Sequence, residues 1–238
     1  MGRNPVKRAT MTHDHNAAPI NPIPPVVVAL FLIIAGVEIA FYLGSKGLVG
    51  GPSAVGWRIA AVEKYGFFGD VVKWMWGTGR YPAEHVMRFF TYPFIHGAFT
   101  STLFACVMLL ALGKMVAEVM GPVRMVVIFF ACAVAGGLAY TALPVGQPPL
   151  IGAFPAVYGL IGAFTYLLWL RLGALGESQI RAFSLIGVLL ALQLIFGLFV
   201  TVGYYWVAEV VGFVTGFALS VLLVPGGFQH LLNRIRER

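Results

Sequence analysis

Long apolar stretches alternate with polar or glycine-containing connections over most of the chain. A helix needs about 20 mainly apolar residues to cross the hydrocarbon core of a bilayer. Six stretches reach or approach that length: residues 26–43, 99–119, 123–143, 155–172, 180–201 and 204–224. The pattern therefore predicts an all-α, polytopic membrane protein whose six transmembrane helices form one bundle over residues 26–226.

The segments outside these stretches differ from one another in composition. Residues 1–25 are polar and end in a proline-rich run, which predicts a disordered tail. Residues 44–98 mix aromatic with charged residues, which is typical of amphipathic helices lying in the headgroup layer. Residues 227–238 predict a short basic tail that lies on anionic lipid at the cytoplasmic face.

Composition and charge support a membrane protein and indicate its orientation. The 238 residues are 59% hydrophobic and 11% charged, against about 25% charged in soluble domains. Outside the long first connection, the basic residues lie in both tails and in the second and fourth connections, whereas the third and fifth connections have none. Positive charge favours the cytoplasmic side, so both termini are expected there, in a membrane that we expect to be the bacterial inner membrane. No basic stretch is interleaved with aromatic residues on a polar face, so nucleic acid is not an expected partner.

The residue types that bind metals are sparse. Cys106 and Cys132 lie in separate apolar runs without the spacing of a metal site, which predicts two buried free thiols. His13 and His15 belong to the polar tail and are interpreted as solvated side chains. No metal and no cofactor is predicted.

Three segments carry family-specific motifs. Residues 152–162 read Gly-Ala-Phe-Pro-Ala-Val-Tyr-Gly-Leu-Ile-Gly, residues 88–97 read Arg-Phe-Phe-Thr-Tyr-Pro-Phe-Ile-His-Gly, and residues 121–124 read Gly-Pro-Val-Arg, preceded by Glu118. Over residues 88–216 the chain resembles the rhomboid family of intramembrane serine proteases. The resemblance implies a six-helix rhomboid-like fold with a long, membrane-embedded first loop.

Several scaffold positions of the family are retained. They are His96, Tyr158, Gly159, Gly162, Gly212 and Gly216. In active members, the tyrosine at the position of Tyr158 packs under the catalytic histidine. The spacing of Gly212 and Gly216 resembles that of the glycines that let the sixth helix approach the fourth closely.

The positions that carry the family's chemistry are replaced. Phe154 stands where the nucleophilic serine is expected, and Pro155 replaces the following glycine. Glu209 stands at the position of the catalytic histidine, while Ser101 and Ala105 replace a histidine and an asparagine of the second helix. A phenyl ring cannot attack a carbonyl carbon, and an alanine side chain has no donor for an oxyanion. The sequence therefore predicts a pseudoprotease and not an enzyme.

Alternatives remain for the polar residues of this region. Ser101 lies five residues after His96, so a contact between them is possible. Glu209 either forms a hydrogen bond with Tyr158 or His96, or offers a polar contact to a partner or a proton-coupled switch. Glu38, in the first helix, is expected to pair within the bundle because a charged carboxylate in a membrane costs roughly 2.5–3.5 kcal/mol. If both carboxyls lined one cavity, transport would become a third possible function.

The resemblance and its departures together predict a function. We expect a non-catalytic rhomboid-like protein that binds other integral membrane proteins or transmembrane segments, as a subunit or as an assembly or stability factor of a membrane complex. Glu209, Glu38 and His96 are the candidate polar binding residues. The alternative is an intramembrane serine endopeptidase of the rhomboid family.

Overall fold

The structure is a computed structural model that describes residues 22–199 and 203–224, so the expectations for the two tails concern residues largely outside the described part. The described residues contain ten α-helices: α1 (Pro25–Ser45), α2 (Trp57–Tyr65), α3 (Gly69–Thr78), α4 (Ala83–Val86), α5 (Arg88–Thr91), α6 (Phe99–Met120), α7 (Pro122–Thr141), α8 (Phe154–Ala174), α9 (Ser184–Phe199) and α10 (Tyr205–Leu223). Short 3₁₀ helices occupy Pro52–Gly56, Tyr92–Phe94 and Gln179–Phe183. The predicted all-α class is confirmed for this part of the chain.

Five helices among the described residues are long and apolar enough to cross a membrane, namely α1, α6, α7, α8 and α10. They coincide with five of the six predicted spans. The predicted span 180–201 is divided instead into the 3₁₀ helix Gln179–Phe183 and α9, which has 16 residues. At about 1.5 Å per residue, the described part of α9 is about 24 Å long, and it ends next to residues 200–202, which lie outside the described part, so a sixth span stays a prediction.

The first connection is helical and packs against the bundle. It contains α2 to α5, and an isolated pair of backbone hydrogen bonds joins Phe67 to Leu150, in the connection before α8. The Phe67 ring lies 4.8 Å from that of Phe89, in an edge-to-face arrangement. The hydroxyl of buried Tyr92 donates to the carbonyl of Ala133 in α7 at 2.8 Å. These contacts position the connection on one end of the bundle.

Helix α8 is the centre of the fold. Every residue from Pro155 to Ala163 is buried, so this part of the helix is enclosed on all sides, as expected for a core helix. Helix α10 packs directly on it through glycines: a methyl group on Gly212 would overlap the carbonyl oxygen of Pro155, and one on Gly216 would overlap that of Gly159. The predicted close approach of these two helices is confirmed.

The two cysteines also lie as predicted. Cys106 in α6 and Cys132 in α7 are both buried free thiols. The Cys132 sulfur lies so close to Gly159 that a methyl group there would overlap it. The thiol therefore fills space between α7 and α8, which is a packing role.

Candidate functional site

The start of α8 is set by a tight backbone turn. Gly152 has φ +94°, in the left-handed region that favours glycine, and its N–H donates to the carbonyl of Tyr92 at 3.0 Å. The helix then begins at Phe154, with Pro155 in its first turn, where a missing N–H costs no intrahelical bond. The turn holds the first side chain of α8 against the segment that precedes α6.

Phe154 packs its ring against two other rings. The ring centroid of Phe104, in α6, lies 6.2 Å away with an interplanar angle of 28°, and that of His96 lies 6.2 Å away at 73°. Both are favourable aromatic geometries, offset-stacked and edge-to-face respectively. Phe154 therefore fills the space at the start of α8 with an apolar ring, and its side chain has no nucleophilic atom.

His96 is buried, with 2% of its surface exposed, and is bound through one ring nitrogen. Its Nε2 accepts a hydrogen bond from the Ala153 N–H at 3.2 Å. The ring proton therefore belongs on Nδ1, which is buried and has no hydrogen-bond partner among the described residues. Burial lowers the pKa of His96 from 6.5 to about 4, nearby Glu38 opposes this shift, and Arg58 adds to it. The imidazole is neutral at physiological pH.

An ion pair between Arg58 and the buried carboxylate of Glu38 contacts the backbone of His96. Arg58 of α2 donates two hydrogen bonds to the Glu38 carboxylate, at 2.6 and 3.0 Å, and a third to the backbone carbonyl of His96 at 2.5 Å. The Thr102 hydroxyl donates to the same carboxylate at 2.9 Å. Glu38 thus pairs as expected, and the pairing ties α1, α2 and α6 to the His96 segment.

Arg58 is a residue of this region that the sequence pattern did not indicate. It lies twenty positions after Glu38 and in a different helix, so no helical spacing pairs the two residues. The available signal was the unpaired carboxyl itself, because a buried carboxylate in an apolar helix requires a cation or a hydrogen-bond donor.

Glu209 lies on the face of α10 that packs against α8. It is 8% exposed and occupies the same buried stripe as Gly212, Gly216 and Ser220. The carboxyl group of Glu209 interacts electrostatically with the hydroxyl group of Tyr158, which is a buried residue of α8. Of the alternatives for Glu209, the structure therefore brings it towards Tyr158, whereas the charges facing His96 are those of Glu38 and Arg58.

Ser101 and Ala105, the two candidate positions on the second predicted span, both lie in α6 and differ in exposure. Ser101 is partly exposed, and its hydroxyl donates to the carbonyl of Ala98 at 2.7 Å, at the start of α6. Ala105 is fully buried and offers no polar side-chain atom. The sequence left open a contact between His96 and Ser101, but the two side chains have other partners: His96 accepts from the Ala153 N–H, and Ser101 donates to the carbonyl of Ala98.

Comparison with known proteins assigns this helical arrangement to a class. The model of the rhomboid domain family matches residues 83–226, which is more than half of the chain. The chain belongs to the rhomboid family. A search of curated proteins finds no match. The matched range includes Phe154, His96 and Glu209, but it excludes Glu38 and Arg58, so the ion pair lies outside the family domain.

Proposed function

We propose that this protein is a non-catalytic member of the rhomboid family that binds other transmembrane proteins, as a subunit or as an assembly or stability factor of a membrane complex. The observation that carries the proposal is the Phe154 ring. It stands at the position where rhomboid proteases have their nucleophilic serine, and it packs on Phe104 and His96 at the start of α8.

The chemistry of the surrounding residues supports the loss of catalysis. Loss of the nucleophile and its base from a serine protease lowers turnover by on the order of 10⁶. The position of the base is occupied by Glu209, a buried carboxyl beside Tyr158. The position of the oxyanion donor is occupied by Ala105, which cannot donate a hydrogen bond. Nucleophile, base and oxyanion donor are therefore all replaced.

The surface next to Phe154 is where we expect a partner helix to bind. Leu103, Phe104 and Val107 of α6 are about half exposed and form an apolar row beside the Phe154 ring. In a bilayer, van der Waals packing between such rows drives the association of helices. Placing a photo-crosslinking residue at Leu103, with the similarly exposed Ile33 of α1 as control, tests this site. We expect a distinct membrane protein, recovered in stoichiometric amount, to be cross-linked from Leu103 and not from Ile33.

We also propose that α9 completes a sixth span together with the residues that follow it, with both termini on the cytoplasmic side of a bacterial inner membrane. The support is the distribution of basic residues among the connections. Reporter fusions after residue 224 and within the connection 142–153 would test the topology. The expected outcome is a cytoplasmic reporter at the first site and an external reporter at the second.

The alternative function, an intramembrane serine endopeptidase, has the family match in its favour. A fluorophosphonate probe and a transmembrane rhomboid substrate in liposomes distinguish the two functions, with an active rhomboid as positive control. We expect neither labelling nor cleavage with this protein. Labelling that is lost in the Ser101→Ala variant would establish the protease instead.

A further inference from the structure

A cavity of about 330 Å³ lies at the opposite end of α8 from Phe154. It joins the C-terminal parts of α6, α8 and α10, through side chains that include Met115, Val119, Leu167, Leu168 and Val224. Its volume is at the lower end of the roughly 300–1,000 Å³ of ligand pockets. Apart from one arginine, the described residues that line it are uncharged.

That arginine, Arg171, differs from the other arginines at this end of the bundle. Arg124 donates to the carbonyl of Met120 at 2.8 Å, and Arg181 is paired with Glu177 at 2.7 Å. The exposed guanidinium of Arg171 has neither a hydrogen bond nor an ion pair with any residue in the described part of the chain. The rim of an apolar cavity therefore carries a positive charge that no residue of the described ranges pairs with.

The geometry points to a binding site for an acidic phospholipid, with the phosphate on Arg171 and an acyl chain along the apolar wall. Arg171 lies three residues before the end of α8, a helix long and apolar enough to cross a membrane, and basic side chains near the ends of such helices reach towards the headgroups. Guanidinium groups bind phosphate oxygens through paired, charge-assisted hydrogen bonds, and the apolar side chains gain from contact with each methylene of the chain. This inference does not depend on the proposed loss of catalysis.

The segment that follows Val224 is a second candidate to cover the cavity, but its charge disfavours it. Residues 225–238 contain three arginines and one glutamate, so this segment, if it covered the cavity, would add positive charge to that of Arg171 instead of neutralising it. An acidic lipid, in contrast, is attracted by Arg171 and by the positive charge of residues 225–238. Charge complementarity therefore selects the lipid as the occupant.

The test is native mass spectrometry of the full chain released from nanodiscs of phosphatidylcholine mixed with phosphatidylglycerol. We expect the wild type to retain phosphatidylglycerol in preference to phosphatidylcholine. The Arg171→Gln variant should lose about fivefold of that preference, the effect of one basic residue near an anionic lipid surface. The matched control is Arg181→Gln, which removes the same charge from the same end of the molecule and should keep the wild-type preference.

Two further variants test the cavity itself. Leu168→Trp fills it and should lower the retention of both lipids, while deletion of residues 225–238 should not increase retention. An equal loss of preference in both arginine variants would overturn the proposal, because the effect would then reflect net charge alone. Increased retention after the deletion would show that the tail occupies the cavity, and would overturn it as well.

Discussion

Replacement of Arg58 by methionine isolates the ion pair that ties the first connection to the bundle. The substitution keeps the length of the side chain and removes its charge and all three of its hydrogen bonds, two to Glu38 and one to the carbonyl of His96. Glu38 is then left as a carboxyl with 5% of its side chain exposed, held only by the Thr102 hydroxyl among the contacts described above.

The expected loss of stability follows from that burial. Removing one partner of a buried ion pair costs about 3–5 kcal/mol, because the remaining charge is uncompensated. The Arg58 side chain is 28% exposed, and water screens part of the interaction, so we expect a loss of about 3 kcal/mol, at the lower end of the range. The double variant with Glu38→Met and Arg58→Met should recover about 2 kcal/mol of this loss, since no charge is then left buried.

Unfolding of the protein by sodium dodecyl sulfate in mixed micelles measures both quantities through a double-mutant cycle. The matched control is Arg181→Met, which breaks a pair of similar length, 2.7 Å, between side chains that are 69% and 49% exposed. That exposed pair should contribute less than about 0.5 kcal/mol. If Arg58→Met destabilised the protein no more than Arg181→Met does, or if the two changes at Arg58 and Glu38 were additive, the interaction would not be a coupled buried pair.

Three further predictions concern packing and protonation. Gly216→Ala should destabilise the protein by about 1–3 kcal/mol in the same unfolding assay, because the added methyl group would overlap the backbone of α8. The control is Gly36→Ala on α1, where the methyl group meets no other atom and stability should not change. Equal effects of the two substitutions would contradict the close approach of α10 to α8. Wild-type stability should fall as the pH is lowered from about 6.5 towards about 4, because over this range His96 is protonated in the unfolded chain but not in the folded chain. The His96→Asn variant should lose this part of the pH dependence, and a variant with the wild-type pH profile would refute the prediction. Tyr92→Phe should cost about 1 kcal/mol through loss of the hydrogen bond to Ala133, and a stability equal to that of wild type would show that the bond contributes nothing.

The spans were predictable from the sequence wherever length and hydrophobicity agreed. Helices α1, α6, α7, α8 and α10 were predicted within a few residues because a bilayer demands long apolar helices and the connections between them end at glycine or proline. The remaining stretch, residues 180–201, stays a prediction, because residues 200–202 lie outside the described part. Hydrophobicity continues over the whole stretch, but the helix begins as a 3₁₀ helix at Gln179–Phe183, and apolar composition alone does not distinguish the two helix types.

For the candidate site, the sequence indicated which residues belong to it better than which contacts those residues make. The resemblance to the family motif predicts that Phe154 and Glu209 are replacements, and the glycine spacing predicted the approach of α10 to α8. The stacking of Phe154 on Phe104 and the bond from Ala153 to His96 were not predictable, since both depend on the turn at Gly152 that orients the start of α8.

The sequence by itself determined that the chain belongs in a membrane and where its main helices lie, because these properties depend on local composition and spacing. The tertiary structure decided which groups compensate one another. Glu38 requires a cation wherever it is buried, yet only the folding of the first connection against α1 shows that Arg58 supplies it. Arg171 likewise becomes a candidate lipid site only when α6, α8 and Val224 line the apolar cavity beside it. Contacts of this kind join residues far apart in the chain, and no local pattern encodes the distance between them.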